Sequence, residues 1–85
     1  MPLVKLFASL RKVAGAKELF VAGADLGSVL SGLVRLHPPL EEKILEGEGL
    51  RPHIVVTVNG HHVTELNVNL AEEDVVAIFP PIAGG

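Results

Sequence analysis

Hydrophobic residues fall along this chain in two different periods. Residues 3–8 (LVKLFA) form a short apolar run interrupted by Lys5. Period two there predicts a strand with Val4, Leu6 and Ala8 on one face and Lys5 and Phe7 on the other. Residues 17–22 (KELFVA) predict a second strand with Leu19 and Val21 on one side. The stretch between them, which holds Gly15, suggests a hairpin with a connection longer than two residues. The period then changes. Leu26, Val29, Leu30, Leu33, Val34 and His37 recur at helical spacing, Asp25 is placed to cap that helix, and Pro38-Pro39 ends it. Its opposite face holds Gly27, Ser28, Ser31, Gly32 and Arg35. Each glycine costs a helix about 1 kcal/mol against alanine, so packing of the apolar stripe must hold it together.

Residues 40–46 predict a second short helix with Leu40 and Ile44 inward and Gly47 as its stop, and residues 46–52 read as a loop. Residues 53–58 (HIVVTV) give the strongest strand signal, followed by Asn59-Gly60, a pair suited to a type I′ turn. A return strand over residues 62–64 and a last strand over residues 75–79 complete the order β-β-α-(α)-β-β-β. One principal helix packed across a mixed sheet buries both the stripe and one face of each strand, which predicts an α+β domain.

Composition narrows the possibilities. Eighty-five residues allow one domain. The chain is 48% apolar with three aromatic residues, Phe7, Phe20 and Phe79, so the core must be aliphatic. Ten acidic against seven basic residues give a formal charge of −3, which argues against nucleic acid as a partner. The absence of cysteine excludes disulfides, thiolate metal sites and cysteine nucleophiles. The longest apolar run, residues 75–83, has nine residues and two prolines, too few for a membrane span. The amino terminus shows no basic region followed by an apolar stretch, so no secretion signal is read and a soluble cytoplasmic domain is expected.

Interior chemistry is sparse. His61 and His62 are neighbours, so in a strand they face opposite ways, and His37 and His53 lack a carboxylate at ligand spacing; no metal site is expected. Ser28 or Ser31 with Asp25 and a histidine could be written as a triad, but these serines lie on the polar face of an ordinary helix. Gly47-Glu48-Gly49 lacks the third glycine and the following helix of a dinucleotide loop. Glu41, Glu42, Glu46 and Glu48 read as solvated helix and loop positions.

The carboxyl-terminal end is different. After Asp74 no charged or polar residue occurs in eleven positions, and the chain closes Phe79-Pro80-Pro81-Ile82-Ala83-Gly84-Gly85. Two residues without side chains make a thin peptide that can enter a narrow channel and expose its carboxylate to an enzyme. Pro80-Pro81 stiffens its base and lowers the entropy lost on insertion. Six extended residues reach about 20 Å at most.

Four segments together resemble the sulfur-carrying small subunit of molybdopterin synthase, within the wider ubiquitin-like sulfur-carrier family. They are Leu6-Phe7-Ala8-Ser9-Leu10-Arg11, the helix running into His37-Pro38, Arg51-Pro52-His53 through Asn59-Gly60, and Asp74 through Gly85. Lys12 stands where the family often has an acidic residue, and His62 takes a hairpin position where it often offers an apolar one. The resemblance implies a ubiquitin-like β-grasp fold: a mixed sheet of about five strands, one main helix and a short second helix over residues 1–79, with an extended tail over residues 80–85. It also implies a route. A ubiquitin-activating-like adenylyltransferase, using its own ATP and magnesium, would convert Gly85 to an acyl-adenylate. A sulfur donor protein would then leave a thiocarboxylate. The large synthase subunit would receive Ile82, Ala83, Gly84 and Gly85 and pass the sulfur to cyclic pyranopterin monophosphate. No cofactor is expected on this chain, and no activity from it alone.

In a β-grasp domain the first and last strands are expected to be neighbours. Phe7 and Phe79 then share an accessible face beside the tail, and with His62, Pro80 and Pro81 form the expected partner surface. The tail is equally compatible with sulfur carriage toward thiamine or an amino acid, and with a ubiquitin-like modifier joined to other proteins through Gly85.

Overall fold

The structure, a computed structural model, describes residues 1–81. The final strand, β7 (Val75–Phe79), runs through the middle of a five-stranded sheet ordered β2-β1-β7-β5-β6. It pairs in parallel with β1 (Leu3–Leu6) and antiparallel with β5 (Val55–Val58). The edges are β2 (Glu18–Phe20), antiparallel to β1, and β6 (His61–Val63), antiparallel to β5. Asn59 and Gly60 both have positive φ, 51° and 85°, as the type I′ turn between β5 and β6 requires.

The main helix, α2 (Leu26–Leu36), packs its stripe on one sheet face. Leu26, Val29, Leu30 and Leu33 meet Val4, Leu6, Val56, Val76 and Ile78, and none of these is more than 1% exposed. The first four N–H groups of α2 have no partner within the helix's own turns. Here the flanking chain supplies one for each: Val68 O accepts from Leu26 N, Leu66 O from Gly27 N, Asp25 Oδ1 from Ser28 N and Asp25 O from Val29 N, at 2.7–3.1 Å. Asp25 thus caps the helix, as its position in the sequence predicts.

Several local expectations are revised. The first strand ends at Leu6; Ala8 has φ 51° and is exposed, so it leaves the core face. Residues 9–14 form a helix, α1 (Ser9–Ala14), inside the β1–β2 connection, because Leu10, Val13 and Ala14 make one helical turn against the core. The second helical segment is a 3₁₀ turn, Pro38–Leu40, continued by α3 (Glu41–Ile44), with Leu40 and Ile44 fully buried as expected. The loop read over residues 46–52 instead contains most of a small hairpin, β3 (Leu45–Glu46) with β4 (Gly49–Leu50), turning at Gly47 with φ 62°. The face of α2 read as solvated is partly covered. A Cβ on Gly32 would lie 2.8 Å from Val21 Cγ1, so only glycine lets that chain approach.

Candidate functional site

Among the described residues no helix covers the sheet face away from α2. Cross-strand partners point to the same side of a sheet, so the register maps this face in three rows. Phe20, Leu3 and Val75 form one; Glu18, Lys5, Ala77, Thr57 and His62 the next; Phe79 and Val55 the third. Phe7 lies just beyond β1, one alternation past Lys5, and joins that third row. These side chains are half-exposed or exposed, although they alternate along the same strands with the fully buried core.

Phe7 and Phe79 are brought together as expected. Their rings stack with centroids 4.4 Å apart and planes 16° from parallel. Arg11, from α1, adds a third layer: its Cζ sits 5.1 Å from the Phe7 centroid while Nε donates to Leu6 O at 2.7 Å. A guanidinium over a ring is attracted by the ring's negative face. Pro80 is half-buried and Pro81 exposed immediately after Phe79. His62 is on the same face but on edge strand β6, opposite Thr57, two strands from β7. That is roughly 10 Å from the strand carrying Phe79. Ile82, Ala83, Gly84 and Gly85 lie outside the described residues.

The other end of β7 is fastened by polar groups. Asn59 Oδ1 accepts from Val75 N and Asn59 Nδ2 donates to Asp74 Oδ1, both at 2.9 Å; Asp74 Oδ2 accepts from Ala71 N at 2.8 Å. Those donors, Ala71 N first and then the Asn59 amide, hold the Asp74 carboxyl below the usual carboxylate value. Asp25 is lowered likewise, chiefly by the Ser28 backbone N–H. Sequence pattern gives no sign of this clamp, since Asn59 and Asp74 are fifteen residues apart. Nor does it foretell that Phe20, 64% exposed, stands beside Leu3 on the open face.

Elsewhere the chemistry stays sparse. Ser28, Ser31 and Asp25 line a shallow open groove along α2 together with Arg35 and Asn67; no histidine lines it, and Asp25 is occupied as a cap. His61 and His62 face opposite ways on β6. Among the described residues no three histidines and carboxylates gather to hold a metal ion, and no helix is long and apolar enough to cross a membrane.

Comparison with known proteins gives a consistent picture. Residues 4–85 match the ThiS family. The chain is 40% identical over 85 residues to small archaeal modifier protein 1 of Haloferax volcanii, covering 95% of this chain and 97% of that one. The crystal structure of that modifier aligns with TM-score 0.83 over 98% of this chain and 97% of its own. The BexX/CysO complex of Amycolatopsis orientalis contains a chain aligning at TM-score 0.91 and 25% identity, with full coverage of both. A Pyrococcus furiosus protein assigned as molybdopterin converting factor subunit 1 aligns at TM-score 0.74 and 30% identity, covering 94% and 95%. The fold is thus the β-grasp, with one main helix and shorter helical segments beside a mixed five-stranded sheet.

Proposed function

Because the chain belongs to the ThiS family of ubiquitin-like β-grasp proteins, we propose that it is a carrier activated at Gly85 by a ubiquitin-activating-like enzyme and then joined to lysines of other proteins. What carries this reading is the end-to-end likeness to small archaeal modifier protein 1. A terminal carboxylate is ionised at neutral pH and is a poor electrophile. On the activating enzyme, with its ATP and magnesium, a Gly85 oxygen attacks the α-phosphorus and pyrophosphate leaves. A lysine amine then attacks the acyl carbon, AMP departs, and the amine gives up a proton as the isopeptide forms. This chain contributes no acid or base to either step. It supplies the thin end Ile82-Ala83-Gly84-Gly85, the stiff root Pro80-Pro81, and a docking face of Phe7, Phe79 and His62.

A second reading uses the same adenylate, and likeness to the molybdopterin converting factor subunit favours it. Sulfide delivered by a donor protein attacks the acyl carbon and expels AMP, and the resulting Gly85 thiocarboxylate enters the large subunit of molybdopterin synthase. Thiamine or amino-acid pathways would take the same thiocarboxylate to another acceptor.

Mass spectrometry separates the products. Incubation with the cognate activating enzyme, ATP and a sulfur source should add about 16 Da if the carboxylate becomes a thiocarboxylate, oxygen being exchanged for sulfur. Conjugates need a chosen protease. Residues 52–85 contain no lysine or arginine and Arg51 precedes Pro52, so trypsin leaves a branch of residues 44–85 on a target lysine. Cleavage after Asp74 leaves residues 75–85, a tractable eleven-residue mark. The absence of both the mark and the mass gain, with an enzyme known to be active, would end the carrier proposal.

A further inference from the structure

The chain's charges are sharply segregated. Residues 1–17 hold four basic residues, Lys5, Arg11, Lys12 and Lys17, and no acidic one; residues 18–85 hold three basic and all ten acidic. Folding brings three of those basic residues, Arg11, Lys12 and Lys17, to one end of the sheet, with Glu18 beside them opposite Lys5. The α1 connection carrying Arg11 and Lys12 follows the end of β1, and Lys17 is fixed there because its carbonyl accepts from Leu6 N. Since β1 and β7 are parallel, this is the end of the sheet at which Phe79 passes into the tail. Glu72, Glu73 and Asp74 stand at the start of β7, five residues and roughly 17 Å away.

Arg11 is the fixed member of this group. Its Nε is bonded to Leu6 O and its plane lies over Phe7, so its rotamer is set in the free protein. It is nonetheless exposed, and the ion pair found among the described residues is a different one, Arg51 with Glu46 at 3.4 Å. A guanidinium held at one edge presents its remaining N–H groups as a ready fork for a carboxylate.

We infer that the tail root is a basic docking rim, anchored by Arg11, that fits an enzyme whose tail channel opens among carboxylates. The inference rests on the carrier reading and adds to it the chemistry of the partner's mouth. Attraction between rim and mouth, with repulsion of the acidic far end, turns the molecule tail-first before any apolar contact forms. Lys12 and Lys17, both exposed, contribute to steering, whereas Arg11 also contributes a directed contact.

Pyrophosphate release by the cognate activating enzyme, followed against carrier concentration, tests this. Raising ionic strength from about 0.02 to 0.3 M shortens the screening length to roughly 6 Å. It should lower wild-type kcat/KM at least fivefold. Arg11→Glu should lower it at least tenfold at low salt, with Arg11→Lys recovering only part, since lysine keeps the charge but not the fork. Arg35→Glu, an equal change of charge on α2, should stay within twofold. Lys12→Glu combined with Lys17→Glu should flatten the salt dependence without touching Phe7, and thermal melts verify that each variant is folded. Arg11→Glu within twofold of wild type, or Arg35→Glu as damaging as Arg11→Glu, overturns the rim. So does self-association with the same salt dependence, because the acidic end of a second copy would then be the occupant. If the enzyme releases no pyrophosphate with wild type, the carrier reading fails on its own. The rim is then decided by calorimetric titration of the same variants against that enzyme, where equal affinities or no binding overturn it.

Discussion

The two faces of the sheet are built from the same strands and have opposite fates. On the face under α2, Val4, Leu6, Val56, Val76 and Ile78 are fully buried. One residue along each strand, Leu3, Val55, Val75, Ala77 and Phe79 remain partly in contact with water, and Phe20 is largely so. Burial of apolar area drives both folding and association. The covered face uses that driving force within the chain; on the docking reading proposed above, the open face would keep its share for a partner, and substitutions at alternate residues should separate stability from binding.

The largest effect concerns the tail that follows β7. Deleting Gly85 shifts the reacting carbon by up to about 3.5 Å. Adenylation should fall at least a hundredfold, given that about 1 Å of misplacement can cost that much. The thermal midpoint should not move. On the covered face, Leu33→Ala and Leu30→Ala should each lower unfolding free energy by about 2–5 kcal/mol in denaturant titrations, with tail chemistry intact in the folded fraction. On the open face, Phe79→Asp should weaken binding to the activating enzyme by about 2 kcal/mol, read by calorimetry, with a smaller change in stability from the lost stack. A variant that melts early yet binds with full affinity would place Phe79 with the core and erase the distinction between faces.

The smallest effect is acid sensitivity. Asp25 and Asp74 have folded-state values lowered from 3.8 by backbone and side-chain donors. A depressed value means stability present above the unfolded value, near 3.9, and lost as pH falls through the folded one. Thermal midpoints should be level from about pH 7 to 5 and decline below about 4. Asp25→Ala combined with Asp74→Ala should make that decline shallower.

Long patterns in the sequence are those the structure bears out. The stripe from Leu26 to Leu33, the Asp25 cap, the Asn59-Gly60 turn and the last strand Val75–Phe79 are all legible, as is the meeting of Phe7 and Phe79 once β1 and β7 are neighbours. Two short segments, α1 and the β3–β4 hairpin, are not. Leu10, Val13 and Ala14 give a single turn of periodicity, and β3 and β4 contribute two residues each, too few to distinguish a hairpin from a loop. Gly32 cannot declare whether it faces water or Val21, because a missing side chain has no polarity to read. The Arg11 layer needs a helix that the sequence does not announce.

Whatever pulls on the tail pulls on the central strand. β7 is held on one side by β1 and on the other by β5, with its backbone bonds running across the direction in which a load at Phe79 would act. Such a load shears both ladders at once, whereas a force peeling β2 or β6 would meet its bonds one after another. An unfolding motor that grips material attached to Gly85 would thus meet high resistance on reaching this domain, and the rate of forced opening would set how long it stalls. On the conjugation reading, the attachment point would also be the mechanical anchor.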